Sequence, residues 1–436
     1  MRNNIVHAGA DNLKYEIRGI VSVAQKFQQE GLKIYWENIG DPVAKGEVTP
    51  NWIRDIVATT VQTEPKSFAY SPTKGVLATR EYIAQKRNAR GGVNITPEDI
   101  LFFNGLGDAI SKIYSNLDEH VRVIGPDPAY PTHSSAEAAH AGSPHLTYKL
   151  DPKNNWLPNL ADLRRQVEEN PAISGIIIIN PDNPTGVVYP REILEGIVAI
   201  AKEFGLFMIS DEIYSNLVFD GEMIELGDII GEVPGMALRG LSKEVPWPGA
   251  RCGWVEFYNT DKDQNFARYV QSLVDSKMLE VCSTTLPQMV LPKIQSDARY
   301  EPHLQDSRKK YKARADITST FLSGIPEIYF NKPKAAFYLT VVFKDGILNT
   351  TQTLPISNQA TKQHVETLIL SQPDMPLDKR FVYYLLGSTG ICVVPLSGFN
   401  SNLVGFRITL LEQDTATFEH IFKTLAQAIT QYCKSN

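Results

Sequence analysis

Between about residues 51 and 310 short apolar runs alternate with amphipathic stretches, and this rhythm restricts the chain more than any other feature of its sequence. The runs lie at 100–103, 121–124, 175–179, 206–210, 236–238 and 253–257, with helical patterns such as 194–204 between them. A continuous Gly-Ile-Ile-Ile-Ile run at 175–179 leaves no polar face for water, so it suits a strand covered on both sides. The alternation predicts an α/β layer fold with a largely parallel sheet. Ligands of such sheets gather beyond the carboxyl ends of the strands. Polar residues stand at those ends here: Asn104-Gly105, Pro128-Ala129-Tyr130, residues 180–183, Asp211 and Lys243.

Outside this region the character changes. Residues 12–30 carry apolar side chains at helical spacing (Leu13, Ile17, Ile20, Val21, Ala24, Phe27), and 33–39 reads as extended. Residues 1–45 are too few for a core of their own, so they form an arm packed on another part of the chain. The alternating region, 46–310, forms the large domain. After residue 311 come a helical stretch at 307–321, a strand near 336–342, a polar segment at 346–363 that reads as a surface insertion, two apolar runs and a final helix at 415–432. This is the pattern of a smaller α+β domain, 311–436, with the arm beside it. A chain of 436 residues exceeds what one core usually holds, in agreement with two domains.

The net charge of −6 gives no electrostatic reason to expect nucleic acid. Four widely spaced cysteines (Cys252, Cys282, Cys392, Cys433) make no Cys/His cluster, which disfavours a metal site and suits a reducing, cytoplasmic setting. The opening Met1-Arg2-Asn3-Asn4 lacks a signal-peptide apolar core, and no stretch has the length of a membrane span.

Several local patterns carry chemistry, and each has an ordinary structural reading beside it. Ser242-Lys243 precedes Arg251 by a small-residue turn: a nucleophilic amine and an anion clamp, or two surface cations. Gly105-Leu106-Gly107-Asp108 opens a helix whose free N–H groups suit a phosphate, or is a plain βα turn. Asn183-Pro184-Thr185-Gly186 presents an amide to an oxyanion, or is a turn. Asp211, at the end of an apolar strand, needs a cationic partner if buried, or caps a helix. Arg407 lies in an apolar strand two residues after a glycine, where its planar fork suits a carboxylate or its charge reaches the surface.

Taken in order, the glycine turn, Tyr130, Asn183, Asp211, Tyr214, Lys243 and Arg251 resemble the class I/II aminotransferases of pyridoxal-phosphate fold type I. The likeness runs from Asn38-Ile-Gly-Asp-Pro42 to Gly405-Phe-Arg407, and Tyr15-Glu-Ile-Arg-Gly19 with Asn180-Pro-Asp-Asn-Pro-Thr-Gly186 points to the alanine aminotransferase-like branch. The resemblance implies a mostly parallel, seven-stranded-type sheet covered by helices in the large domain, and pyridoxal 5'-phosphate as cofactor. Lys243 would hold the cofactor as a Schiff base and then shuttle the substrate proton. Asp211 would keep the pyridine nitrogen protonated, while Asn183 and Tyr214 bond the ring oxygen and Tyr130 stacks on the ring. Leu106 and Gly107 (through backbone amides), Ser242 and Arg251 would hold the phosphate. Tyr70 would reach the phosphate of a partner subunit, which implies a homodimer with shared sites. Arg407, Asn183 and the N–H of Gly40 would bind the substrate carboxylate.

Three departures from the family pattern fall near the site: Gly240 where relatives often carry a hydroxyl residue, the stiff Glu244-Val-Pro-Trp-Pro248, and Ala335 at the glycine of a Pro-x-Gly-x-Phe-Tyr motif ending at Tyr338. The resemblance implies ping-pong transfer of an amino group between an amino acid and a 2-oxo acid. No second arginine stands at 276–287, and Glu280 there would repel a side-chain carboxylate, so the donor is small or uncharged, such as alanine, with 2-oxoglutarate as acceptor. A β-lyase or decarboxylase on the same fold is the first alternative, and a cofactor-sensing regulator the second.

Overall fold

In a computed structural model, residues 5–6, 9–13 and 16–435 are described, the side chains of 16–18 excepted. The N-terminal Met1-Arg2-Asn3-Asn4, Tyr15 and the side chains of Glu16, Ile17 and Arg18 lie outside the described residues. Fourteen strands are described: β1 (Tyr35–Trp36), β2 (Ile100–Phe103), β3 (Arg122–Asp127), β4 (Thr147–Asp151), β5 (Leu157–Pro158), β6 (Ile173–Ile179), β7 (Phe207–Asp211), β8 (Gly235–Gly240), β9 (Gly253–Tyr258), β10 (Ile328–Phe330), β11 (Tyr338–Phe343), β12 (Ile391–Cys392), β13 (Val394–Pro395) and β14 (Gly405–Thr409).

The large sheet has the order β2-β9-β8-β7-β6-β3-β4-β5. Strands β8, β7, β6, β3 and β4 run parallel, while β9 lies antiparallel between β2 and β8. The fold is α/β, a mixed sheet covered by helices. Its strands bury both faces: every residue of β2 and β9, and all but Ser174 of β6, is buried. Every apolar run expected as a strand is one, but the sheet has eight strands rather than seven, because a short β5 folds back on β4. In β4, Lys149 is exposed between buried Tyr148 and Leu150, so this strand carries no apolar run; the edge strand β5 has only two residues and no period to read.

A second sheet of order β10-β11-β14-β13 is antiparallel throughout. The helix Glu16–Gln29 places Ile20, Ala24 and Phe27 in the core of this second sheet. Parallel pairing of β1 with β12 ties down the residues that follow, so only Tyr35–Trp36 of the extended 33–39 segment is strand. The polar segment 346–363 is not simply a surface insertion. Leu348, Gln352 and Leu354 are buried, and Gln352 donates to the carbonyls of Ile347 and Cys433 at 3.0 and 3.3 Å. From Gln359 the chain is already helical, to Leu370, with Asn358 accepting from the Thr361 N–H as N-cap.

Candidate active site

The parallel strands β3, β6, β7 and β8 all point their carboxyl ends to one side, and the ends of β2 and the start of β9 reach the same place. A cavity of about 410 Å³ opens there, between the two sheets. Its walls include Gly40, Leu106, Gly107, Tyr130, Asn183, Asp211, Tyr214, Ser242, Lys243, Arg251 and Arg407. Residues separated by up to 367 positions thus share one hollow. Tyr70 does not line it; this side chain is 83% exposed.

At one end of the cavity stands the helix Leu106–Ser115. Its cap is Gly105, at φ 80°, a conformation open to glycine without strain. A Cβ on Gly105 would lie 2.5 Å from a guanidinium nitrogen of Arg251, so the missing side chain is what lets arginine reach the helix start. Arg251 donates to the carbonyls of Pro248 (3.1 Å) and Asn104 (3.4 Å). Free helix N–H groups and a guanidinium side by side form a cradle for a doubly charged anion.

Asp211 closes β7 and is 4% exposed. Its Oδ1 accepts from the Ile213 N–H at 3.2 Å, and its Oδ2 is 3.1 Å from Nε2 of buried His133. The sequence reading missed His133. It lies one helical turn after Tyr130, and that i, i+3 spacing on the helix Pro131–Ala141 was the available signal.

Lys243 Nζ donates to the carbonyl of Gly40 at 2.7 Å. Burial pulls its amine down to about 8, with Arg407 and Arg251 adding to the effect and Asp41 and Asp211 opposing it. An amine so lowered is a usable nucleophile and proton carrier near neutrality. Asp41 lines the same cavity and its Oδ1 accepts from the N–H groups of Val43 and Ala44 at 2.9 and 3.1 Å.

Arg407, in β14, is 2% exposed. One guanidinium nitrogen donates to Asn183 Oδ1 (3.3 Å) and the other to the Asn38 carbonyl (2.5 Å), while its Nε and both amide atoms of the Asn38 side chain have no protein partner. Rings of Tyr338 and Phe399 flank the guanidinium at 4.6 and 5.1 Å. A buried cation with spare donors facing a cavity is arranged for a carboxylate. Tyr214 is buried in aromatic surroundings, 2.9 Å from the Tyr338 hydroxyl; burial pushes its phenol well above the usual range, so it remains a donor.

Glu280 does not line the cavity. Its carboxylate pairs with Lys112 and with buried Lys277 (2.6 Å). The missing glycine of the Pro-x-Gly-x-Phe-Tyr motif also has a different consequence: the left-handed residue is Ala336, at φ 58°, rather than Ala335.

The model of the family described as aminotransferase class I and II matches residues 38–425. Over all 436 residues of both chains the sequence is 54% identical to an uncharacterized aminotransferase of Methanocaldococcus jannaschii. It is 29% identical to the glutamate-pyruvate aminotransferase AlaA of Escherichia coli, over 76% of this chain and 80% of that one. Among solved structures, an alanine aminotransferase from Pyrococcus furiosus superposes with a TM-score of 0.84 at 25% identity, covering 98% of this chain and 100% of the other. The chain is an enzyme of the class I and II aminotransferase family.

Proposed function

We propose that this enzyme moves the amino group of a small, uncharged amino acid, such as alanine, to a 2-oxo acid such as 2-oxoglutarate by a ping-pong mechanism with pyridoxal 5'-phosphate. The observation that carries the reading is the single cavity into which Lys243, Asp211, Tyr214, Asn183, Arg251 and Arg407 all open. The residues fit the cofactor. The cradle of Gly105, Leu106, Gly107, Ser242 and Arg251 suits its phosphate, with the guanidinium filling the space a Cβ would take. Asp211, held by His133, suits a protonated ring nitrogen; Asn183 and Tyr214 suit the ring oxygen, and Tyr130 a ring face. When bound, the cofactor supplies an electron sink for the carbanion left at the substrate's α-carbon.

The chain's own groups do the rest. Arg407 pairs with the α-carboxylate and, with the Gly40 N–H and Asn183, orients the α-carbon toward Lys243. Lys243 would hold the cofactor's aldehyde carbon through Nζ, and the freed Nζ would carry the α-proton, which its lowered basicity allows. Tyr214 and Asn183 hold the ring oxygen in place throughout. Val21, Ile39 and Ile110 give the cavity apolar walls, and among its described lining residues the only arginines are Arg251 and Arg407. An alanine-like donor agrees with the substrate named for the P. furiosus relative, and exchange with the glutamate/2-oxoglutarate pair agrees with the name of the E. coli relative.

The proposal extends to organisation: an arm at 1–45, a cofactor domain at 46–310 and a small domain at 311–436, paired in a cytoplasmic homodimer whose Tyr70 reaches the neighbouring site. The four free cysteines suit a reducing compartment, and no described helix is long and apolar enough to cross a membrane. The test is the visible spectrum of the purified protein as amino acids are added singly. Bleaching by alanine, reversed by 2-oxoglutarate, supports transamination. Release of pyruvate with ammonia, or of carbon dioxide, would instead assign a lyase or a decarboxylase.

A further inference from the structure

We propose that Tyr338 is a positioning residue that couples the cofactor's ring-oxygen donor, Tyr214, to the carboxylate-binding Arg407. The Tyr338 hydroxyl lies 2.9 Å from the Tyr214 hydroxyl, and its ring centroid lies 4.6 Å from the Arg407 guanidinium carbon. One side chain therefore touches both ends of the reacting assembly. It is 2% exposed, and it fills the space left by Gly40, where a Cβ would come within 2.1 Å of the phenol oxygen.

The backbone under Tyr338 is fixed from several directions. Tyr338 begins β11, which pairs with β14 so that Thr340 stands opposite Arg407. Thr340 Oγ1 donates to the Pro184 carbonyl at 2.8 Å, and the N–H groups of Lys334 and Ala335 reach the Gly186 carbonyl at 2.9 and 3.1 Å. The second sheet is thus tied directly to the turn that carries Asn183. In the absence of a ligand either phenol can donate to the other. This inference rests on the proposed cofactor: once Tyr214 gives its one proton to the ring oxygen, the bond between the phenols has to run from Tyr338 to Tyr214. A phenol that accepts a hydrogen bond is polarised into a stronger donor, so Tyr338 strengthens the hold of Tyr214 on the ring oxygen. The same ring face lies against Arg407 and keeps its fork aimed at the substrate.

Tyr338→Phe keeps the ring and removes only the hydroxyl. A weaker donor stabilises the anionic ring oxygen less. The pH midpoint of the visible band should therefore rise by roughly half a unit, on the scale of cooperative strengthening of a charge-assisted bond. Affinity of the apoprotein for pyridoxal 5'-phosphate, read by tryptophan fluorescence, should fall about two- to threefold for the same reason. In a Tyr214→Phe background the Tyr338→Phe change should have no further effect on either readout, because the path from one phenol to the ring is already cut. Tyr338→Leu also removes the ring and should raise KM for the amino donor, which Tyr338→Phe leaves unchanged. A midpoint in Tyr338→Phe within about 0.1 unit of the parent, or equal shifts with and without Tyr214, would overturn the role of Tyr338. A protein that binds no pyridoxal 5'-phosphate and shows no visible band overturns the cofactor assignment itself, and the inference with it.

Discussion

A lysine buried among two arginines and two carboxylates titrates where its surroundings put it, and for Lys243 that is near pH 8. The neutral amine attacks an aldehyde, so the rate at which apoprotein takes up pyridoxal 5'-phosphate should climb with pH and level off above about 8. An exposed lysine would keep gaining to about 10.4. Stopped-flow absorbance over pH 6–10 checks this, and a plateau only near the usual lysine value would show that the amine is not held as described. Lys243→Ala should lose turnover entirely yet still bind cofactor through Arg251 and Asp211. Arg407→Ala should raise KM for the donor by about 10- to 100-fold, the worth of charge-assisted hydrogen bonds, and Arg407→Lys should not restore it, since an ammonium lacks the fork. Unchanged KM would remove Arg407 from the site. Residues of this kind were legible because each announces itself within a few neighbours: Lys243 after Ser242, Asn183 before Pro184, Asp211 at the end of an apolar run. His133, Asn38 and Tyr338 were not, because their importance lies in what they meet. Its i, i+3 spacing from Tyr130 marks His133 as a neighbour of that ring, but only the fold brings it to Asp211, 78 residues away.

Short elements rather than whole helices set the geometry of the site, and two of them make separable predictions. The first is the turn at Gly105. Alanine there would take on a left-handed backbone and collide with Arg251, so Gly105→Ala should weaken cofactor binding by about tenfold, from strain on the order of 1 kcal/mol with the loss of the guanidinium's seat in addition. Titration of the apoprotein with pyridoxal 5'-phosphate decides it. The second is the segment after the lysine, which its prolines mark as stiff. Its anchor is Glu244, which accepts from Tyr300 (2.8 Å), Gln295 (3.0 Å) and Asn216 while its backbone carbonyl faces His303 at 2.9 Å. Glu244→Ala removes the acceptor of the buried Tyr300 hydroxyl and of two half-buried amides and should lower stability by about 2 kcal/mol, measurable as a lower urea midpoint. No change would mean that the prolines alone hold the loop. The positions of the central strands were readable because each is a continuous apolar run. Strand β4, with exposed Lys149 at its middle, was not, and neither was two-residue β5, an edge that takes its shape from its neighbour. The segment 346–363 misled for a related reason: Gln352 looks like surface but is buried once its amide meets two carbonyls.

At the scale of the molecule, Ile20, Ala24, Phe27 and Ile34 join the core of the second sheet. What a single chain leaves open is the covering of its exposed apolar residues. Phe68 and Tyr70 are 77% and 83% exposed, and Leu279 is 89% exposed. The two segments adjoin: Thr285 donates to the Ala69 carbonyl at 2.7 Å, and Thr73 to that of Val281 at 3.0 Å. A patch built from both, beside a site whose expected Tyr70 contact is missing within the chain, is what a two-fold partner would cover. If each site takes Lys243 from one subunit and Tyr70 from the other, two crippled chains can repair each other. A Lys243→Ala chain paired with a Tyr70→Phe chain would have one site with both defects and one with neither. Random assortment of equal amounts makes half the dimers mixed, each with one intact site, so turnover should reach about a quarter of the parent's, above the average of the two variants assayed apart if Tyr70→Phe retains little activity. Refolding the chains together and assaying alanine-dependent turnover measures it. Activity equal to that average would mean that each site is built from one chain, and that Tyr70 and its apolar neighbours serve something other than a shared active site.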